Sequence, residues 1–204
     1  MDEVIHRPNL DEAKQYVKMF NSDENGLCKE RVLQRVFADK NDEVEDVVLR
    51  VAVLDQIYST QIRKHTDICD LARHIKNIGD LQERLWQGDL EVVDEIANVN
   101  GRNLFSFATK YCSFSSPKEY YIYDTLVNNL LRAINRQYPF VQKFGPDDLR
   151  SHGYEYFNDV MGYFTEEFGL KDTLSKKELD IYLWQWGKEL TSRGSGSTDT
   201  VTVI

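Results

Sequence analysis

The chain has 204 residues, 41% of them hydrophobic and 12% aromatic, enough to bury a sizeable core as one domain or two small lobes. Thirty-four acidic against 25 basic side chains give a net charge of -9, which argues against strong nonspecific affinity for long duplex DNA. A mean hydropathy of -0.52 and the lack of a long uncharged apolar run exclude a membrane span.

The first ten residues, MDEVIHRPNL, hold no basic segment followed by an apolar one, so no secretory signal is expected. Helical spacing then begins at Ala13, Tyr16, Val17 and Phe20, after Asp11 and Glu12, which suit a helix N-terminus. Asp39, Asp42, Glu43, Glu45 and Asp46 form an acidic run without the glycine of a calcium loop, and read as a helix start. The i, i+3, i+4 pattern returns at Val44, Val47, Val48 and Val51, and continues to Leu54 and Tyr58. It recurs at Ile68, Leu71, Ala72 and Ile75, and at Leu104, Phe107, Ala108 and Tyr111. Pro117 and the serines before it break that helix, leaving Tyr120–Tyr123 as an extended link. Val127, Leu130, Leu131 and Ile134 mark a further helix, as do Phe157, Val160, Met161 and Phe164. Leu179, Tyr182, Leu183 and Trp186 close the series, with Trp184 and Trp186 expected to anchor the last helix in the core.

No period-2 pattern suggests a strand. The expected fold is all-α, about ten short helices in two lobes with a cleft between them. Residues 23–112 would form one lobe, 1–22 with 113–191 the other, and the Gly/Ser-rich 192–204 a flexible tail. Cys28, Cys69 and Cys112 are odd in number and form no CxxC, which fits a reducing, cytoplasmic setting and no thiolate metal site. His6, His65, His74 and His152 show no ligand spacing, and no phosphate or dinucleotide loop occurs, so neither metal nor cofactor is expected.

Charge is unevenly distributed. Six basic residues (Arg102, Lys110, Lys118, Arg132, Arg136, Lys143) face only two acidic ones between positions 100 and 143. Arg63, Lys64 and His65 form a second basic cluster, with Arg73, His74 and Lys76 close behind. Each can be a solvated helix face or a local phosphate site, and Arg132 and Arg136, one turn apart, carry the same two readings.

Within residues 103–131, a helix bears Lys110 and Asp124 opens the next helix. Helical geometry puts Lys110 roughly 110° from the apolar face, on its boundary, at about 100° per residue. A lysine there can be desolvated and become a nucleophile, or it can merely snorkel. Asp124 can orient it or can simply cap its helix.

The string Ala108-Thr109-Lys110, followed by Tyr121-Ile122-Tyr123-Asp124, resembles the lysine and Pro-Val-Asp segments of the helix-hairpin-helix DNA glycosylase superfamily. Val53 to Gln61, ending Tyr58-Ser59-Thr60-Gln61, resembles that family's helix that ends in a Leu-Ser-x-Gln element. The likeness is to a divergent, compact 8-oxoguanine DNA glycosylase-like bacterial protein. It departs at Val99-Asn100-Gly101-Arg102, where the family's glycine hairpin would grip duplex DNA, and no iron–sulfur cysteines are present. The resemblance implies an N-glycosylase/lyase acting on a nucleic acid or nucleotide, with Lys110 as nucleophile and Asp124 as its partner. It also implies that Ser59 and Gln61 line the pocket. Phe105 and Tyr123 are available to stack on a base, and Arg132 and Arg136 to hold phosphate. A non-catalytic all-α binding module that keeps the scaffold is the alternative.

Overall fold

The computed structural model describes residues 5–38 and 43–195. The protein is all-α: eleven α-helices, one 3-10 turn and a two-stranded hairpin are the elements of the described residues. Helix α1 (Leu10–Phe20) starts at Asn9, whose side chain accepts the Glu12 N–H at 2.9 Å. It is followed by α2 (Glu24–Ala38) and α3 (Val44–Tyr58). The start of α3 explains the acidic run in part: the Asp46 carboxylate accepts the Glu43 N–H at 3.2 Å, while Asp39 and Asp42 lie outside the described residues.

A tight turn and a 3-10 segment (Ile62–Lys64) lead to α4 (Ile68–Lys76), capped by Asp67. Helices α5 (Leu81–Gln87) and α6 (Glu91–Ala97) precede β1 (Asn98–Val99) and β2 (Arg102–Asn103), paired antiparallel with Val99 opposite Arg102. Both connecting residues, Asn100 and Gly101, have positive φ (50° and 71°), as a primed two-residue hairpin turn requires. The Asn-Gly pair is the sequence signal for this turn, and periodicity alone passes over it. Then come α7 (Phe105–Ser115), the link, α8 (Thr125–Gln137), the short α9 (Asp148–Ser151), α10 (Tyr154–Glu167) and α11 (Lys176–Ser195).

Helix α7 is central. Nine of its eleven residues are buried, because every position except Lys110 is apolar or small, and α2, α3, α5 and α6 surround it. Lys110 is therefore not on a boundary as helical geometry predicts; it is 2% exposed, inside a helix with no solvent face. Helices α1 and α8 both pack on α11, forming a second group of helices beside the first. Ser175 and Glu178 start α11 with a reciprocal cap: the Ser175 N–H reaches the Glu178 carboxylate at 2.8 Å and the Glu178 N–H reaches Ser175 Oγ at 3.2 Å. The helix runs past Ser192 to Ser195, so the first residues assigned to the tail are helical, and 196–204 lie outside the described residues. No helix of the described residues is long and apolar enough to cross a membrane.

Candidate active site

The link between α7 and α8 has no helix or strand partner, so its backbone groups must be satisfied by side chains. The Tyr123 N–H donates to Thr109 Oγ1 at 3.1 Å, and the Tyr121 N–H to the Tyr154 hydroxyl at 2.6 Å. That clamp lays the Tyr123 carbonyl against the last atoms of Lys110. The Lys110 amine hydrogen-bonds to Ser106 Oγ at 2.8 Å, the Tyr123 carbonyl at 3.0 Å and the Ser106 carbonyl at 3.3 Å. Its Nζ also lies 3.7 Å from Asp124 Oδ2 and 5.5 Å from the centre of the Tyr58 ring.

Asp124 does two things at once. Its Oδ1 caps α8 by accepting the Leu126 N–H at 2.7 Å, while Oδ2 faces the lysine. Both side chains line a cleft of about 330 Å³, walled by Phe20 and α2 on one side, Ile57 and Tyr58 at the end of α3, and the cleft face of α11. Burial pulls the Lys110 pKa below the ordinary lysine value, against the opposing charges of Asp124 and Asp180. More of the amine is thereby neutral at a given pH than a surface lysine's would be.

The cleft holds a second polar group that the sequence reading misses. Lys177 Nζ sits 2.9 Å from the Glu30 carboxylate and 3.8 Å from that of Asp180, next to the Tyr58 hydroxyl. Burial pulls the Lys177 pKa down, but Tyr58, Asp180 and Glu30 outweigh it and the net shift is upward. Burial raises the Asp180 pKa despite the two lysines, and the Tyr58 phenol is raised for the same reason. Lys177, Asp180, Trp184 and Lys188 follow one another at three- and four-residue steps along α11, all on the cleft wall. That spacing is the signal that marks them in the sequence, where an apolar-only search overlooks a mixed face.

The other expected site residues are placed differently. Ser59 and Gln61 stand on an exposed turn at the end of α3, and neither lines the cleft; its wall there is Ile57 and Tyr58. Phe105 and Tyr123 are buried and pack edge-to-face on one another at 5.1 Å, with Phe157 against both, so their rings are core and not a stacking platform. Only the Tyr123 carbonyl joins the site. Arg132 is half-buried away from the cleft, its Nε without a hydrogen-bond partner. Arg136 is exposed on a separate groove of about 410 Å³ between α8 and α11. Of the two tryptophans, Trp186 is core, stacked on His6 and Tyr182. Trp184 instead faces the cleft, with Lys188 over its ring at 4.3 Å.

The HI_0787_N family, described as an N-terminal domain, matches residues 12–119, more than half of the chain. The chain belongs to this family. The matched segment begins in α1, takes in all of α7 with Lys110, and stops five residues before Asp124. An uncharacterized protein of Haemophilus influenzae is 37% identical over 151 residues, covering 72% of this chain and 69% of that protein. No solved structure matches the chain.

Proposed function

We propose that the protein is a helix-hairpin-helix glycosylase-like N-glycosylase/lyase, acting in the cytoplasm on a nucleic acid or nucleotide. The observation that carries the reading is one pair: a buried amine of lowered pKa, 3.7 Å from a carboxylate, both on the wall of a cleft large enough for a nucleobase.

The reaction follows from what each group can do. A nucleotide held out of any stack enters the cleft, its base between the Tyr58 and Trp184 sides. The neutral Lys110 amine attacks C1′ with its lone pair, and the glycosidic C1′–N bond breaks, its electron pair leaving with the base. Asp124 faces the positive charge that develops on the sugar and accepts the proton the nitrogen sheds. Opening of the sugar gives a Schiff base between Lys110 and C1′. Loss of the proton at C2′ then expels the 3′ phosphate by β-elimination, and water releases the lysine. The three oxygen acceptors around Nζ fix its position, and the Tyr58 face shields it from solvent.

Those same acceptors support a second reading. Lys110 ties α7 to the link as a structural clamp would, and the hairpin that precedes α7 is a β-turn and not a glycine loop for gripping duplex DNA. A non-catalytic binding module would keep both features. Borohydride trapping decides between them. Wild-type protein should give a covalent adduct with single- or double-stranded oligonucleotides containing 8-oxoguanine or an abasic site, and Lys110→Ala should give none. Absence of an adduct with every substrate, free nucleoside included, would overturn the enzymatic reading.

A further inference from the structure

We propose that the turn from Ser59 to Thr66 is a phosphate-binding lip of the cleft, and that the partner it takes is a polynucleotide strand and not a free nucleoside. The inference rests on the glycosylase reading only for what enters the cleft; the lip itself is argued from its own geometry.

The turn leaves the cleft wall at Tyr58. Ser59 (φ 52°, ψ 44°) and Gln61 (φ 60°, ψ 34°) both adopt the left-handed conformation, which costs a non-glycine residue about 1 kcal/mol or more. Two side-chain bonds hold it there: Asp55 Oδ1 accepts the Thr60 hydroxyl at 2.6 Å and the Ile62 N–H at 3.1 Å. Ile62 is fully buried and pins the turn to the core. The result is a rigid presentation of the next three residues, Arg63, Lys64 and His65, all exposed.

Neither cation of the turn is tied up in an ion pair. Arg63 and His65 form no ion pair among the described residues, and Lys64 has a neutral partner, the Gln61 amide oxygen at 2.7 Å. The nearby carboxylates bond to other groups: Asp55 to the turn, Asp67 to the Cys69 N–H at 2.8 Å, and Asp70 to Arg73 at 2.9 Å. Arg63, Lys64, His65 and Thr66, with one carboxylate, Asp67, line one shallow concavity between α3 and the start of α4. The Thr66 Oγ1 in it is buried without a hydrogen-bond partner. The exposed Lys29 and Lys188 line the cleft itself. A strand that runs over the turn and into the cleft would carry phosphates past Arg63 and Lys64 and past Lys29 and Lys188. A nucleoside has no phosphate to meet any of these cations. On a protein of net charge -9, such local positive potential has to be confined to be useful.

The test is fluorescence anisotropy with a labelled single-stranded oligonucleotide of about 16 nucleotides, the upper site size of small single-strand binders. The protein is Lys110→Ala, so that binding is read without chemistry. Salt is varied between about 50 and 200 mM. Adding Arg63→Ala/Lys64→Ala should weaken binding and lower the slope of log affinity against log salt by about 1.4, two phosphate contacts at roughly 0.7 each for single strands. Lys14→Ala/Lys18→Ala, which removes two exposed lysines from α1, should leave the slope unchanged. An unchanged slope in the Arg63/Lys64 variant, or equal losses in both variants, overturns the lip, as does a Lys110→Ala protein that binds no oligonucleotide. The glycosylase reading fails separately, by absence of a trapped adduct, whatever the slopes are.

Discussion

Lys110 is a charged side chain placed where the helix around it offers only apolar and small neighbours, so its protonation state is set by the cost of burial. That gives a signed prediction. Its folded pKa lies below the ordinary value of 10.5, so between those two pH values the unfolded chain holds more protons than the native one. Stability from this group therefore rises with pH across that window and carries its full penalty below it. Thermal unfolding of wild type against Lys110→Met should show the wild type gaining relative to the variant as pH climbs toward 10.5. A difference that is flat with pH would mean the lysine is not desolvated. Asp124 separates its two jobs by substitution. Asp124→Asn keeps an N-cap acceptor and should unfold near the wild-type denaturant midpoint, whereas Asp124→Ala should lose about 1 kcal/mol. Both should lose adduct formation, since neither carries the carboxylate facing Nζ.

At the scale of elements, the hairpin between α6 and α7 sets where α7 begins. Gly101 sits at φ 71°, and its missing Cβ meets no atom within 4 Å, so an added methyl is penalised by conformation alone. Gly101→Ala should cost about 1 kcal/mol in urea unfolding, while trapping activity persists. Gly187 is a different case. A Cβ there would lie 3.3 Å from both the Cβ and the carbonyl oxygen of Leu126, so α11 and α8 touch through that glycine. Gly187→Val should destabilise by about 2 kcal/mol through overpacking. The helices themselves were legible from spacing, since Val44 to Tyr58 or Phe157 to Phe164 repeat at 3.6-residue intervals. The hairpin escaped because its strands are two residues long and carry no alternation; only Asn100-Gly101 betrays it.

For the whole molecule, α11 is the element that makes the cleft. Its Tyr182 hydroxyl bonds the Glu12 carboxylate at 2.9 Å, its Lys176 donates to the Glu119 carbonyl at 2.6 Å, and its Lys177 pairs with Glu30 on α2. Lys177→Met would leave Glu30 and Asp180 as buried carboxylates without their cation, a loss of about 3 kcal/mol. Lys177→Met/Glu30→Gln should recover part of it, and calorimetry of the two variants measures the difference. A double variant no more stable than the single one would locate the cost elsewhere.

Sequence by itself determined the all-α class and most helix positions, because local periodicity and caps are written in neighbouring residues. Lys110 and Asp124 were candidates for a pair through the glycosylase resemblance, and only half of α7 and one short link lie between them. What the tertiary structure alone decided was exposure and neighbourhood. It made α7 a buried helix and turned Phe105 and Tyr123 into core. It left Ser59 and Gln61 on an exposed turn outside the cleft lining, and it brought Glu30 from α2 against Lys177 from α11. Those contacts join residues about 150 positions apart, and no spacing rule reaches that far: which faces meet depends on how all the helices share one core.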